Sequence, residues 1–220
     1  MKIGIIADIH AQYDSLEKAL AILEREQVDE IICPGDLVER GKDGERVVHT
    51  IRKMNIPVVR GNHDELAKEG QIYPLNNLST DEIEETFTAL RQGDFVKTDL
   101  LTPETLDWLA SLPLQLEFER EGFKIIMFHG SPESNRVYLT PDMLDEELEM
   151  ALSTVDADIA IYGHTHEAIK RKIGKTLLLN PGGVYKSSYN LSSHTCAMLN
   201  LPDCDFRVYS LVTGHEIELS

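Results

Sequence analysis

An α/β fold is predicted by three observations on the 220-residue sequence. Short Ile- and Val-rich runs alternate with segments of helical periodicity in the front half, only strands and turns remain towards the end, and polar clusters recur where strands stop. The first pattern implies parallel strands joined by crossover helices, with reactive loops gathered at the strands' C-terminal ends.

Each element has its own warrant. Residues 2–7 form an apolar run of strand length, and Asp14-Ser15-Leu16-Glu17 supplies a capping signature for a helix in which Leu16, Ala19, Leu20 and Leu23 recur at helical spacing. Residues 28–33 make a second strand, 43–54 a helix turning Val47, Val48 and Ile51 inward, and 56–59 a third strand. Residues 64–121 break the rhythm. They carry acidic helical stretches at 81–91 and 103–112, the second opened by Thr102-Pro103, and are predicted to be a mainly helical insertion or cap. Residues 114–119 and 123–128 flank Glu121-Gly122 as a hairpin. A helix at 141–152 and a strand at 158–162 follow. Strands at 168–173, 176–179, 195–201, 206–212 and 216–219 then read as antiparallel strands completing a second sheet. No internal repeat or linker interrupts the chain, so residues 1–220 are taken as one domain.

Composition narrows the function classes. The chain is 42% hydrophobic and 27% charged, with 21 Lys plus Arg against 38 Asp plus Glu, a formal charge of −17. That balance argues against a reader of long nucleic acid or a membrane-surface binder, which need positive charge facing phosphate. Residues 64–121 hold 14 acids and 4 bases, and 141–158 hold seven acids and no base; together they account for the whole imbalance. The apolar runs are too short to span a bilayer, and Asp8 cuts off the N-terminal one, so a cytoplasmic chain is expected. Cys33, Cys196 and Cys204 lack metal-ligand spacing and fit reduced thiols.

Five polar clusters follow predicted strands: Asp8-Ile9-His10, Gly35-Asp36, Gly61-Asn62-His63-Asp64, His129-Gly130 and Gly163-His164-Thr165-His166. Carboxylate, amide oxygen and imidazole together suit divalent Mn, Fe, Ni or Zn, and seven potential ligands exceed what one catalytic ion with open positions takes. Taken singly, each cluster has a plainer explanation: a solvated strand end, a turn, or a hydrogen-bonded core histidine for His129. Five together, each after a strand, leave coincidence a poor explanation. A glycine beside the ligands would let the backbone turn and approach a phosphate without a clashing Cβ.

This series resembles that of the calcineurin-like metallophosphoesterases: Asp-x-His, Gly-Asp, Gly-Asn-His-Asp/Glu, His and Gly-His-x-His. The resemblance runs from Met1 to about Val212, and Gly130-Ser131-Pro132 and Asn180-Pro181-Gly182-Gly183 are similar to the small prokaryotic predicted phosphodiesterases. It implies a four-layer fold, two mixed sheets in a sandwich flanked by helices. It also implies two divalent cations, with Mn favoured: Asp8, His10 and His166 on one, Asn62, His129 and His164 on the other, and Asp36 bridging. A metal-bridging hydroxide would then attack the phosphorus of a small phosphodiester. His63 would protonate the departing oxygen while Asp64 orients its ring, although Asp64 also reads as a helix N-cap. Gly35-Asp36-Leu37-Val38-Glu39-Arg40-Gly41 resembles the Gly-Asp-x-Val-Asp-Arg-Gly of phosphoprotein phosphatases, with Glu39 replacing Asp. That makes Arg40, with Asn62, a candidate phosphate contact, against an exposed loop arginine.

The expected partner is a small phosphorylated molecule, neither long nucleic acid nor membrane. Alternatives are a phosphomonoesterase or protein phosphatase, a dinucleoside polyphosphate hydrolase, or a catalytically silent scaffold, which would usually have lost ligands or the acid histidine. His49, His194 and His215 fall outside any motif and are expected on the surface or on helices.

Overall fold

The computed structural model describes residues 1–69, 101–186 and 194–219; the helix expected at 81–91 lies outside them. The described elements are β1 (Lys2–Ile5), α1 (Tyr13–Arg25), β2 (Glu30–Ile32), α2 (Gly44–Lys53), α3 (Asn62–Glu69) and α4 (Pro103–Ser111). They continue with β3 (Gln115–Arg120), β4 (Phe123–Phe128), α5 (Asp145–Ala151), β5 (Ile159–Ile161), β6 (Ala168–Ile173), β7 (Thr176–Pro181), β8 (Thr195–Asn200), β9 (Asp205–Ser210) and β10 (Glu216–Ile217).

Two five-stranded sheets result, ordered β10-β9-β8-β1-β2 and β3-β4-β5-β7-β6. Both are mixed. β1 pairs parallel with β2 and antiparallel with β8, while β4, β5 and β7 run parallel between antiparallel β3 and β6. Alternation explains the layers, because strands buried on both faces send successive side chains to opposite sides. Ile3 and Ile5, Ile125 and Met127, Ile159 and Ile161, and Ala197 and Leu199 meet between the sheets. Outside the first sheet, Cys196 and Met198 share a core with Leu16 and Leu23 of α1 and Val47 and Ile51 of α2. Outside the second, Ile126, Phe128, Ala160 and Tyr162 pack with Leu148 of α5. Helix, sheet, sheet and helix make the four layers.

Several expectations are corrected. The strands after residue 195 do not complete the second sheet: β8 has apolar residues on both faces and fills the open side of β1, carrying β9 and β10 into the first sheet. The expected strand at 56–59 is a single parallel bridge, Cys33 to Val58; Pro57 has no N–H to extend the ladder and only accepts from Cys33. Asp14 lies within the first turn of α1, whose N-cap is Gln12. α5 starts at Asp145, where Glu147 reaches back to the Leu144 N–H at 2.8 Å. Thr102 does cap α4, accepting from Thr105 N–H. α4 packs on α3 and sends Leu109 and Leu112 into the core beneath the first sheet, so this part of 64–121 is built into the fold.

Candidate metal centre

The predicted motifs lie in loops leaving β1, β2, β4 and β5, and in the segment that enters α3. Backbone bonds tie the first two loops together. Asp8 N–H donates to Gly35 C=O, Ile9 and His10 N–H to Asp36 C=O, and Ala11 N–H to Leu37 C=O. The side chains of Asp36 and Asp8 then contribute to the scaffold. Asp36 Oδ1 accepts from His63 N–H at 2.9 Å, and both Asp8 oxygens accept from His164 N–H at 3.1 Å.

The glycines serve this closeness differently from the expectation that they admit phosphate. A Cβ on Gly61 would meet Asp36 Oδ1 at 2.0 Å, and one on Gly163 would meet Asp8 Oδ2 at 2.8 Å. Both glycines make room for the carboxylates of Asp36 and Asp8.

Three groups of donor atoms converge: Asp8, His10 and His166; His10, Asp36 and His63; and Asp36, His129 and His164. His10 Nε2 stands 3.2 Å from His166 Nε2 and 3.6 Å from Asp36 Oδ2, with His166 Nε2 3.4 Å from Asp8 Oδ1. On the other side, His129 Nε2 lies 3.2 Å from Asp36 Oδ2 and 3.0 Å from Asn62 Oδ1. Ligands about 2.0–2.1 Å from one shared cation are roughly 3.0–3.4 Å apart; every spacing but that of His10 to Asp36, at 3.6 Å, falls in this range. Asp36 Oδ2 belongs to both sets.

The rings are also turned correctly. His129 Nδ1–H donates to Pro34 C=O at 2.7 Å and His10 Nδ1–H to Val38 C=O at 3.3 Å, which turns each Nε2 inward. His164 Nε2 is buried with no hydrogen-bond partner among the described residues. An orphaned imidazole nitrogen beside inward-turned ring nitrogens is what a cation would satisfy, and the residues fit divalent metal.

Electrostatics agree. Burial holds His10 well below the usual histidine range, helped by Arg40 and His63, and brings His164 down to about 3, helped by His129; both present neutral nitrogens. His129 behaves oppositely: burial disfavours its charge, but the Asp36 carboxylate raises it to about 9. The space between His129, Asp36 and Asn62 therefore attracts positive charge.

His63 lies beside this set, its ring 4.7 Å from that of His10. The carboxylate on its ring is Glu39, not Asp64: Glu39 Oε2 is 2.6 Å from His63 Nδ1. Asp64 is instead buried at the third position of α3. It accepts from the N–H groups of Gly61 at 3.0 Å, Asp36 at 2.9 Å and Leu37 at 2.8 Å. It resembles the carboxylate arm of a capping box and also fastens the Asp36 loop to α3. Burial and the Asp36 charge push Asp64 up to about 7, against the Gly61 and Leu37 N–H donors and the His129 charge. Glu39 was visible in the sequence only as a departure from Asp; its longer side chain still reaches His63.

Arg40 Nη2 lies 3.3 Å from His63 Nε2, and its guanidinium stands over the Tyr185 ring, so Arg40 is part of the site rather than a solvated loop arginine. Two aromatic residues at the site had no sequence signal. Tyr185 contacts the His10 and His166 rings, and Tyr138 stacks on His164. His49 and His215 are exposed as expected, whereas His194 is buried, its Nδ1 3.0 Å from Val184 C=O.

Comparison with known proteins follows the same line. The chain is 30% identical over 187 residues to the uncharacterized protein MJ0912 of Methanocaldococcus jannaschii, covering 83% of this chain and 70% of that one. It is 26% identical over 184 residues to the phosphodiesterase MJ0936 of the same organism, covering 83% of each. The fold superimposes on a metallophosphoesterase from Sphaerobacter thermophilus with a TM-score of 0.67 at 22% identity, over 100% of this chain and 90% of the other. The model of the calcineurin-like phosphoesterase superfamily domain matches residues 1–203, and the chain belongs to that superfamily.

Proposed function

We propose that this chain hydrolyses small phosphodiesters, using two divalent cations held by Asp8, His10, Asp36, Asn62, His129, His164 and His166. The convergence of inward-facing ligand atoms on both sides of Asp36, with His63 and Arg40 alongside, carries the reading. The similarity to a protein named as a phosphodiesterase supports the choice of diester. Bound cations would polarise the phosphoryl oxygens and make a water nucleophilic near neutral pH; mixed nitrogen and oxygen ligands suit Mn, with Fe, Ni and Zn also accommodated.

The residues around the metals have distinct tasks. Glu39 fixes the tautomer and orientation of His63, whose Nε2 passes a proton to the departing oxygen. The Arg40 fork, now against His63 Nε2, is placed to turn onto a phosphoryl oxygen. Asn62 offers its amide to the same group. The acidic segments repel long polyanions and favour small substrates. No described helix is long and apolar enough to cross a membrane. Cys33, Cys196 and Cys204 are free thiols, which suits the cytoplasm.

Chelator-stripped protein reloaded with Mn, Fe, Ni or Zn tests the reading against a chromogenic diester, its monoester, a phosphopeptide and a dinucleoside polyphosphate. The diester is expected to have the highest kcat/KM. Preference for the monoester or phosphopeptide would make the chain a phosphatase, and inactivity with every metal would make it a scaffold.

A further inference from the structure

The two ends of the candidate site differ. One is cationic and polar: Arg40 reaches both His63 and the Tyr185 ring. The other carries an exposed aromatic ring. There Tyr138 lies on the His164 ring, centroids 3.9 Å apart and planes 29° apart, yet 49% of the side chain is exposed, and the adjoining Val137 is 47% exposed. Only seven large hydrophobic side chains are exposed among the described residues, and these two are neighbours at the rim of the site.

The loop that presents Tyr138 is anchored on both sides. Ser131 and Ser134 exchange backbone hydrogen bonds, Asn135 Nδ2 donates to Glu65 of α3 at 3.4 Å, and the next residue, Leu139, is fully buried with its C=O accepting from Tyr162 Oη at 2.7 Å. An exposed aromatic ring held by such anchors is an organised binding surface, since little ordering remains for a ligand to impose.

We infer that Tyr138 is a stacking platform for a planar aromatic group on the ester arm that stays with phosphorus, so that the site selects phosphodiesters of nucleosides or aryl alcohols. The inference rests on the phosphodiesterase reading and specifies its substrate. The polar end takes the leaving group. The bond from phosphorus to the leaving oxygen breaks, that oxygen keeps the electron pair and takes the proton from His63 Nε2, and water supplies the new oxygen on phosphorus while giving up a proton. The product is an aromatic or nucleoside phosphate monoester and an alcohol.

Three diesters with one leaving group, p-nitrophenolate, and different retained arms test this: thymidine 5′-, phenyl and methyl p-nitrophenyl phosphate. With metal-loaded protein, the aromatic arms should exceed methyl in kcat/KM by about tenfold or more, the scale of one ring stacked on an aromatic side chain. A larger preference for thymidine than for phenyl identifies the nucleoside as the target; equal preference identifies any planar arm. Tyr138→Phe should keep the ratio and Tyr138→Ala should bring it towards one. If Tyr138→Ala loses metal, as measured by metal content, Tyr138→Leu gives the same reading while covering His164. Calorimetric affinity for thymidine 5′-monophosphate over methyl phosphate supplies a second readout that needs no turnover. If all diesters are inert but this affinity preference disappears in Tyr138→Ala, the diesterase reading fails and the platform stands. An unchanged aromatic-to-methyl ratio in Tyr138→Ala or Tyr138→Leu, or equal wild-type affinity for the two monoesters, overturns the platform.

Discussion

Left-handed backbone at the helix ends and in the motif loops of this protein falls on different kinds of residue. At the ends of α1 and α2, Gln27 (φ 57°) and Asn55 (φ 53°) close the helices with paired turn bonds: Gln27 and Asn55 N–H donate to Glu24 and Arg52 C=O, and Val28 and Ile56 N–H to Leu23 and Ile51 C=O. In the motif loops the left-handed residues are Asp8, His10, Asp36, Glu39, Arg40, His164 and His166, with φ between 49° and 69°, together with Ala11 at 55°. Glycine would suit both geometries better, since each non-glycine residue there costs about 1–2 kcal/mol. At a helix end the turn alone matters. In the loops all of these residues but Ala11 carry polar side chains gathered at the candidate centre, and the strain is maintained by the hydrogen bonds that Asp8, Asp36 and Asp64 accept from the neighbouring loops.

That contrast breaks first at Asp36. Asp36→Ala removes the oxygen that faces both histidine sets, and is expected to abolish turnover and cation binding on both sides, read by metal content and initial rates. His63→Ala should retain metal while kcat falls by roughly 10²–10⁴, as for loss of a general acid. Glu39→Gln should cost about 10–100-fold in kcat through loss of ring orientation. Full turnover in metal-replete His63→Ala would remove the proton-transfer role. Asp64→Asn separates scaffold from chemistry. Its amide nitrogen would oppose one of three buried N–H donors, so stability should fall by about 1–3 kcal/mol in denaturant melts. A smaller kcat effect for Asp64→Asn than for Glu39→Gln is expected, and the reverse would restore Asp64 as the orienting carboxylate.

How much of this was legible in the sequence depended on the range of the interaction. The hairpin at Glu121-Gly122 and the Thr102 cap are local patterns and appear in the structure, whereas Gly61-Asn62-His63-Asp64 opens α3 rather than following a strand. The sandwich's two-sided burial was visible as runs such as Ile125-Ile126-Met127-Phe128, but sheet membership was not: nothing local in residues 195–200 says that they pair with β1 rather than with β7. The family resemblance points to Asp64 as the partner of His63, and the structure gives that place to Glu39. Residue 64 is in fact turned by α3 towards the backbone of Gly61, Asp36 and Leu37, while Glu39 arrives from a loop 24 residues away. Tyr138 and Tyr185 carry no motif, and only the fold puts them on the rings of His164 and His10.

The gentlest test takes a left-handed residue that carries no chemistry. Gln27 is exposed, and its backbone already makes the turn bonds that end α1. Gln27→Gly relieves the left-handed strain and gives back part of that gain as extra unfolded-chain entropy, for a net stabilisation of up to about 1 kcal/mol. In a chain of this length that is a rise of roughly 2–4 °C in Tm, with kcat/KM unchanged. His10→Gly relieves the same strain at φ 49° but deletes an inward-facing nitrogen, so it should lose metal whatever its melting temperature does. A fall in Tm for Gln27→Gly would mean that the glutamine stabilises the helix end in its own right, and the two classes of left-handed residue would then differ in degree rather than in kind.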